Sequence, residues 1–226
     1  MARAVKWLIR ILAGLLVLSL LGVAAYRFLP PPVTPLMLLR AAEGDPIHAP
    51  WLAARDIPPD IVEAVLTSED QRFCQHHGFD FVQIDKALAA EEDGKRLRGA
   101  STISQQAARD LYLVPARSFV RKGLEAYFTV LIEALWPKRR IVQAYLNTIE
   151  WGPGIYGVEA ASQYAFHHPA ARLTRLEAAL LAAILPNPRR WSAAAPTSYI
   201  RERARTILDR MGRHEADTGC VTPLGN

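Results

Sequence analysis

Residues 121–149, RKGLEAYFTVLIEALWPKRRIVQAYLNTI, contain two consecutive segments whose apolar residues recur every three to four positions. The first segment ends at Pro137 and the second begins at Lys138. Residues three or four apart lie on one face of an α-helix, so this spacing predicts two amphipathic helices. The apolar positions are Leu124, Tyr127, Phe128, Leu131, Ile132 and Leu135, then Ile141, Val142, Tyr145, Leu146 and Ile149.

The same periodicity on both sides of this stretch predicts a mainly α protein. Further helices are expected to start near Pro58, Thr102, Thr174 and Ile200, and both threonines have capping-box spacing to a Gln or Glu. Residues 178–185 are apolar on every side but too few to cross a membrane. We therefore expect them to form the central core helix.

The N-terminus has the features of a membrane anchor. Ile11–Tyr26 is uncharged and apolar, and residues 7–29 provide the roughly twenty residues that span a bilayer. Basic residues before the run predict a cytoplasmic N-terminus. A signal peptide cleaved after Val23-Ala24-Ala25 is the alternative. Pro30-Pro31-Pro32 is interpreted as a stiff spacer that lifts the exported domain off the membrane.

The predicted domains are a cytoplasmic tip and transmembrane helix (1–29), a Pro-rich juxtamembrane linker (30–56), a catalytic domain (57–213) and a C-terminal tail (214–226). A formal charge of +5 raises the question of nucleic-acid binding. Four of the 27 basic residues lie in the first 27 positions, where there is no acid, and no RNA- or DNA-binding motif is present. The sequence therefore argues against nucleic acid as a partner.

Two cysteines, Cys74 and Cys220, cannot form a disulfide framework, although one bridge is compatible with an oxidising compartment. We expect free thiols. The histidine spacing does not suit zinc. Gly152–Gly157 matches a dinucleotide fingerprint but follows a helical segment where a strand is required, which excludes a nucleotide site.

Charge is segregated along the exported part. Residues 43–93 contain twelve acids and three bases, and residues 95–140 contain ten bases and three acids. A solvated charged face explains such runs. A more specific hypothesis is that the basic segment 95–140 binds an anionic ligand while a carboxylate of the acidic segment 43–93 transfers a proton.

Glu69 is the most informative carboxylate. At about 100° per residue it lies about 10° from the mean direction of the apolar residues Ile61, Val62, Val65 and Leu66. A carboxylate on an apolar face is partly desolvated, which favours its protonated form and suits a general base or acid. The alternative is that the helix ends at Ser68 and leaves Glu69 in water.

The basic segment contains a candidate anion site. Small hydroxyl residues at 99–106 precede a helix, where unpaired N–H groups bind anions, and Arg109 follows one turn later. Arg121 and Lys122 lie one turn before Glu125, on the flank of their helix's apolar stripe, whereas Glu133 is expected to be solvated.

Four ordered motifs resemble those of the peptidoglycan glycosyltransferases. They are Glu69-Asp70-Gln71-Arg72-Phe73 through His76 and Gly78, Gly99-Ala100-Ser101-Thr102 with Gln105-Gln106, Arg121-Lys122-Gly123-Leu124-Glu125, and Arg140-Ile141 through Tyr145-Leu146-Asn147. The anchor and residues 180–188 resemble the monofunctional biosynthetic members. One departure is Arg109, where the family usually has lysine.

The resemblance implies a lysozyme-like, mainly helical domain behind a single transmembrane helix, in the bacterial inner membrane with the catalytic domain periplasmic. It implies polymerisation of lipid II: the growing glycan passes from undecaprenyl pyrophosphate to the 4-hydroxyl of the next lipid II, with inversion. It also implies cell-wall elongation or division proteins as partners.

The resemblance assigns catalysis to Glu69 as base and to Glu125, which orients the basic residues. No cofactor is required by it, and a divalent cation (Mg²⁺ or Mn²⁺) beside Glu125 is left open. The implied substrate-binding residues are Asp70, Phe73, His76, Gly99, Ser101, Thr102, Gln105, Gln106, Arg109, Arg121, Lys122, Tyr145 and Asn147. The alternatives are a lysozyme-like enzyme that cleaves peptidoglycan, against which the basic segment argues, and a non-catalytic envelope scaffold.

Overall fold

The computed structural model describes residues 2–92, 101–116, 118–221 and 224. The helices within these ranges are α1 (Ala2–Tyr26), α2 (Pro35–Ala42), α3 (Pro59–Glu69), α4 (Phe81–Glu92), α5 (Ile103–Tyr112), α6 (Phe119–Leu135), α7 (Lys138–Thr148), α8 (Val158–Phe166), α9 (Arg175–Ile184) and α10 (Ser198–Gly212). Strands β1 (Glu150–Gly152) and β2 (Ile155–Tyr156) form an antiparallel hairpin after α7. The prediction of a mainly α protein with an N-terminal apolar helix is confirmed.

The core is built around α9, as expected from its apolar composition. Ala178, Ala179, Leu181, Ala182 and Ala183 are all buried, and α3 and α10 both pack against this helix. Its many alanines allow the neighbouring helices to approach closely. On the other side α5 packs against α6 and α7. This arrangement brings the end of α3, the start of α5 and one face of α10 to a common cavity.

Helix α1 is long and apolar enough to cross a membrane over Arg3–Tyr26. Its C-terminal end docks directly on the domain: the Arg140 guanidinium donates to the carbonyl oxygens of Tyr26 (2.6 Å) and Leu29 (2.7 Å), and the Trp136 indole donates to that of Val23 (2.7 Å). The expected spacer that lifts the domain away from the anchor is therefore wrong. The Tyr26 carbonyl belongs to the last turn of α1, where a cation is favourable for the helix dipole.

The juxtamembrane segment 30–56 also packs on the domain. It contains α2, whose Leu36 and Met37 are buried. Asn147 fixes its far end, because the Asn147 Oδ1 atom accepts from the Leu52 N–H at 2.7 Å and the Asn147 amide donates to the Leu52 carbonyl at 3.2 Å. The segment that the sequence suggests as a linker thus contributes to the folded domain.

The two cysteines form a disulfide between Cys74 and Cys220, with a Cα–Cα distance of 5.6 Å. The expectation of free thiols is wrong. The two residues are 146 positions apart, and only the folded chain brings the tail after α10 beside the loop after α3.

Candidate active site

A cavity of about 890 Å³ lies between α3, α5 and α10. Four residues singled out from the sequence line it together: Glu69, Ser101, Gln106 and Arg109. Other polar lining residues are Ser68, Asp110, Glu150, Tyr199, Glu202, Arg203, Thr206 and Arg210. The cavity therefore places Glu69 among three arginines and three further carboxylates, and Arg109 is the one of these arginines that comes from the basic segment 95–140.

Glu69 is the last residue of α3, so the helix persists to the position required by the apolar-face argument. Its Oε2 atom accepts a hydrogen bond from the Gln106 amide at 3.3 Å. Burial raises the pKa of Glu69, and the neighbouring charge of Asp70 adds to this effect, whereas the Gln106 hydrogen bond and the charges of Arg203 and Arg109 oppose it. Glu69 thus has the raised proton affinity of a general base.

A hydrogen-bonded side chain behind the cavity orients Gln106. The hydroxyl of the buried Tyr145 donates to Gln106 Oε1 at 3.1 Å, which turns the amide N–H group toward Glu69. Burial raises the pKa of Tyr145 well above its ordinary value, and the charge of Glu69 adds to the shift. Tyr145 therefore stays a neutral donor, and it contacts Gln106 rather than lining the cavity.

The loop after Glu69 is held by buried polar contacts. Asp70 Oδ2 accepts from the Ile103 N–H at 2.9 Å, at the first turn of α5, and Asp70 Oδ1 lies 2.9 Å from His76 Nε2. The His76 ring packs edge-on against the buried Phe73, with a ring-centroid distance of 6.0 Å. Asp70, Phe73 and His76, expected to bind substrate, therefore lie behind the cavity and connect the end of α3 to the start of α5.

Thr102 and Gln105 form the capping box of α5, as their spacing predicts. The Thr102 hydroxyl also donates to the Gly78 carbonyl at 2.6 Å. Gly78 has a φ of 92°, and a Cβ there would lie 2.7 Å from Thr129 Cγ2, so this position requires glycine. Thr102 and Gln105 are buried, as is Asn147, and all three support the site from outside the cavity.

Arg109 projects from α5 into the cavity, where its side chain is 38% exposed. It donates to both carboxylate oxygens of Asp110, at 2.6 Å and 3.0 Å. Burial acts to lower the pKa of Arg109, but the adjacent Asp110 carboxylate outweighs it and the pKa is raised. The guanidinium is therefore a fixed positive charge, oriented by a buried partner.

Glu125 is buried on α6, and its carboxylate oxygens bind Arg121 (2.7 Å) and Lys122. These three residues form one cluster that does not line the described cavity. The charge of Glu125 nevertheless reaches Arg109, whose pKa it helps to raise. Both Glu125 oxygens are already paired with cations, so this carboxylate does not fit a divalent-cation ligand.

A second group with ligand-type atoms comprises Asp70, His76 and Asp80. Asp70 is bound to His76 and the Ile103 N–H, and Asp80 accepts from the Gln83 N–H at 3.1 Å and pairs with Arg72 at 3.3 Å. These partners occupy the oxygens that a metal would need, so this group does not fit a metal site either. Gly99 and the bases Lys95, Arg96 and Arg98 lie outside the described residues.

Glu133, expected to be solvated, is not: its side chain is 6% exposed and binds Lys138 at 2.8 Å as well as the Ser104 hydroxyl. The expectation fails because α5 and α7 both cover that face of α6. A substitution of Glu133 would therefore disturb the contacts of α6 with Lys138 and with Ser104 on α5.

Sequence reasoning missed the contribution of α10. Arg203 and Arg210 both line the cavity, and the Arg203 Nε atom donates to the Ala183 carbonyl at the end of α9, at 3.1 Å. A signal was available, because Arg203 and Arg210 are seven residues apart and flank the apolar stripe of Ile200, Ala204 and Ile207. Two arginines on one flank of a core-packed helix indicate a charged surface beside the core.

The family model described as Transglycosylase matches residues 38–212. Proteins named biosynthetic peptidoglycan transglycosylase are similar over nearly their full length. The relative from Rhodospirillum centenum is 50% identical (97% of this chain, 96% of the relative), that from Caulobacter vibrioides 47% (98% and 100%), and that from Pseudomonas aeruginosa 46% (92% and 91%). The family match includes Glu69, Gln106, Arg109 and Arg203.

Proposed function

This chain belongs to the transglycosylase family, and from that premise we propose that it polymerises lipid II into linear glycan strands for the bacterial cell wall. The observation that carries the proposal is the cavity in which Glu69, with a raised pKa, faces Arg109 and Arg203. A base and a cluster of cations are what transfer of a sugar from a pyrophosphate requires.

Glu69 acts as the general base in this mechanism. It takes the proton of the 4-hydroxyl on the acceptor's N-acetylglucosamine while that oxygen attacks the anomeric carbon of the donor strand. The carbon–oxygen bond to undecaprenyl pyrophosphate breaks on the opposite face, so the configuration inverts. Gln106, held by Tyr145, keeps the Glu69 carboxylate in position.

The leaving group gains negative charge as its bond to the sugar breaks. Arg109 lines the cavity, and Asp110 fixes the orientation of its guanidinium through a bidentate pair. The Arg121–Lys122–Glu125 cluster, with two cations and one anion, lies outside the described cavity and carries a net positive charge. Charges that are already oriented stabilise a transition state without further reorganisation. No step is assigned to a metal ion.

Helix α1 is proposed to anchor the enzyme in the inner membrane, with the N-terminus cytoplasmic and the catalytic domain periplasmic. The docking of the domain on the end of α1 supports this placement, because it holds the domain at the end of the proposed membrane helix. Proteins of cell-wall elongation or division are the proposed partners.

The test is to incubate the full-length protein, solubilised in detergent, with lipid II alone. We expect glycan polymer to form. One undecaprenyl pyrophosphate should be released for each glycosidic bond made. A parallel reaction with isolated peptidoglycan tests cleavage. Soluble muropeptides from peptidoglycan, without polymer from lipid II, would contradict the proposal and favour a cleaving enzyme; binding of lipid II without turnover would favour a scaffold.

A further inference from the structure

The chain after α10 returns to the loop that follows the proposed base. We call residues 213–221 the tail and Asp70–His76 the base loop. The Asp217 N–H donates to the Gln71 carbonyl at 3.2 Å, and the Gln71 amide donates to Glu215 at 3.2 Å. The Cys74–Cys220 disulfide joins the two segments covalently. Three separate contacts therefore fix the tail on the outer side of the base loop.

The inner side of the base loop supports the active-site cavity. Glu69 immediately precedes the loop, and Asp70 binds the first turn of α5. Cys74 follows Phe73, whose side chain is completely buried. A shift of the loop would therefore move Glu69 relative to Gln106 on α5.

The tail is also connected to α10, the helix that forms another wall of the cavity. It follows α10, which supplies Arg203 and Arg210, and Arg210 Nε lies 3.8 Å from Glu215 in the tail. The disulfide thus ties α10 to the base loop. It connects the wall that carries the two arginines to the segment that carries the base.

We propose that the Cys74–Cys220 pair is a redox site that sets the rate of polymerisation, with the disulfide form fast and the dithiol form slow. Cys220 is exposed and Cys74 half-buried, so a dithiol reductant reaches the bond. The dithiol supplies two electrons and two protons: the sulfur–sulfur bond breaks, both cysteines become thiols, and the reductant becomes a disulfide. A disulfide-carrying oxidant reverses the step. The inference rests on the proposed function.

The experiment compares kcat and KM for lipid II in the full-length protein before and after reduction with dithiothreitol. Misplacement of a catalytic group by about 1 Å costs up to roughly a hundred-fold in rate, so we expect kcat to fall at least about ten-fold. KM should change by less than roughly two-fold, because the base acts in the transition state. Reoxidation should restore kcat.

A pH profile separates positioning from general loss of fold. The charged or titratable groups around Glu69 are Asp70 in the base loop, Arg109 on α5, Tyr145 on α7 and Arg203 on α10. Loosening the base loop admits water to the carboxylate, so the low-pH limb of kcat should move to lower pH on reduction. Partial unfolding would reduce the rate equally at every pH.

The control is the double variant Cys74→Ser/Cys220→Ser. It should turn over slowly, keep its helical circular dichroism and be insensitive to dithiothreitol. If reduced wild-type protein with two titrated thiols polymerised lipid II as fast as the oxidised form, or slowed with an unmoved pH limb, the redox proposal would be wrong. Failure of oxidised protein to polymerise at all would instead overturn the proposed function.

Discussion

The neighbours of the Glu69 carboxylate shift its pKa in opposite directions. Burial and Asp70 favour its protonated form, whereas Gln106, Arg203 and Arg109 favour the anion. The net result is a raised pKa, so a pH rise through that pKa activates the base. Arg203 adjusts this balance from α10, where the Ala183 carbonyl holds its guanidinium.

Arg203→Gln should raise the pKa of Glu69 further, since it removes a stabilising positive charge. The low-pH limb of kcat/KM follows the protonation of the free base, so it should move to higher pH. Arg205→Gln is the control, because Arg205 is 70% exposed on the same helix and does not line the cavity. If the low-pH limbs of kcat/KM were identical in the two variants, Arg203 would have no effect on the pKa of Glu69.

Arg109→Ala should lose leaving-group stabilisation. One such charge-assisted contact contributes about 2 to 4 kcal/mol to the transition state, which corresponds to roughly thirty-fold or more in rate. Arg109→Lys keeps the charge and should retain much of the activity, although lysine cannot reproduce the bidentate pair with Asp110. Thermal unfolding of both variants checks that Asp110 tolerates the change. Wild-type turnover in Arg109→Ala would show that the basic segment is only a solvated face.

At the scale of helices, the sequence predicts those that bury one apolar face in the domain. Helices α3, α5, α6, α7, α9 and α10 follow from apolar spacing and caps because packing and local propensity agree there. Helix α4 does not follow, since Phe81 is 69% and Leu88 52% exposed, and no buried stripe marks it.

In the candidate site, Glu69 could be placed from the apolar periodicity because it lies on the same helix as the apolar residues that define this pattern. Arg109 is indicated by its position one turn after a helix start, whereas the role of Gln106 is implied only by motif resemblance. The Cys74–Cys220 pairing and the contribution of Arg203 depend on where α10 and the tail lie in the folded chain. Sequence separation gives no measure of such proximity.

Arg140 on α7 is one of the side chains that connect α1 to the domain, together with Trp136. Arg140→Met should lose the charge-assisted hydrogen bonds to Tyr26 and Leu29, which lowers the free energy of unfolding by about 3 kcal/mol. Urea unfolding in detergent, followed by circular dichroism, measures this. Arg190→Met changes an exposed arginine and is the control. Equal midpoints for the two variants would show that the anchor is held by other contacts.

Across the described residues, α1 is joined to the rest of the protein by direct contacts with α7 and with the end of α6. We expect an uncleaved anchor, so the protein should stay in the membrane after a high-salt wash and keep its original N-terminus. Membrane fractionation followed by N-terminal sequencing tests both points. A mature N-terminus near Tyr26 would identify the segment as a signal peptide.

The central claim is that Glu69 is the base that deprotonates the acceptor hydroxyl. Glu69→Gln keeps the shape of the side chain but cannot accept the proton, and loss of a general base costs about a hundred- to ten-thousand-fold in rate. Glu91→Gln, at an exposed position on α4, is the matched control. The decisive measurement is the initial rate of lipid II polymerisation by the two variants at equal lipid II binding. We predict near wild-type polymerisation by Glu91→Gln and none detectable by Glu69→Gln; equal rates would contradict the mechanism.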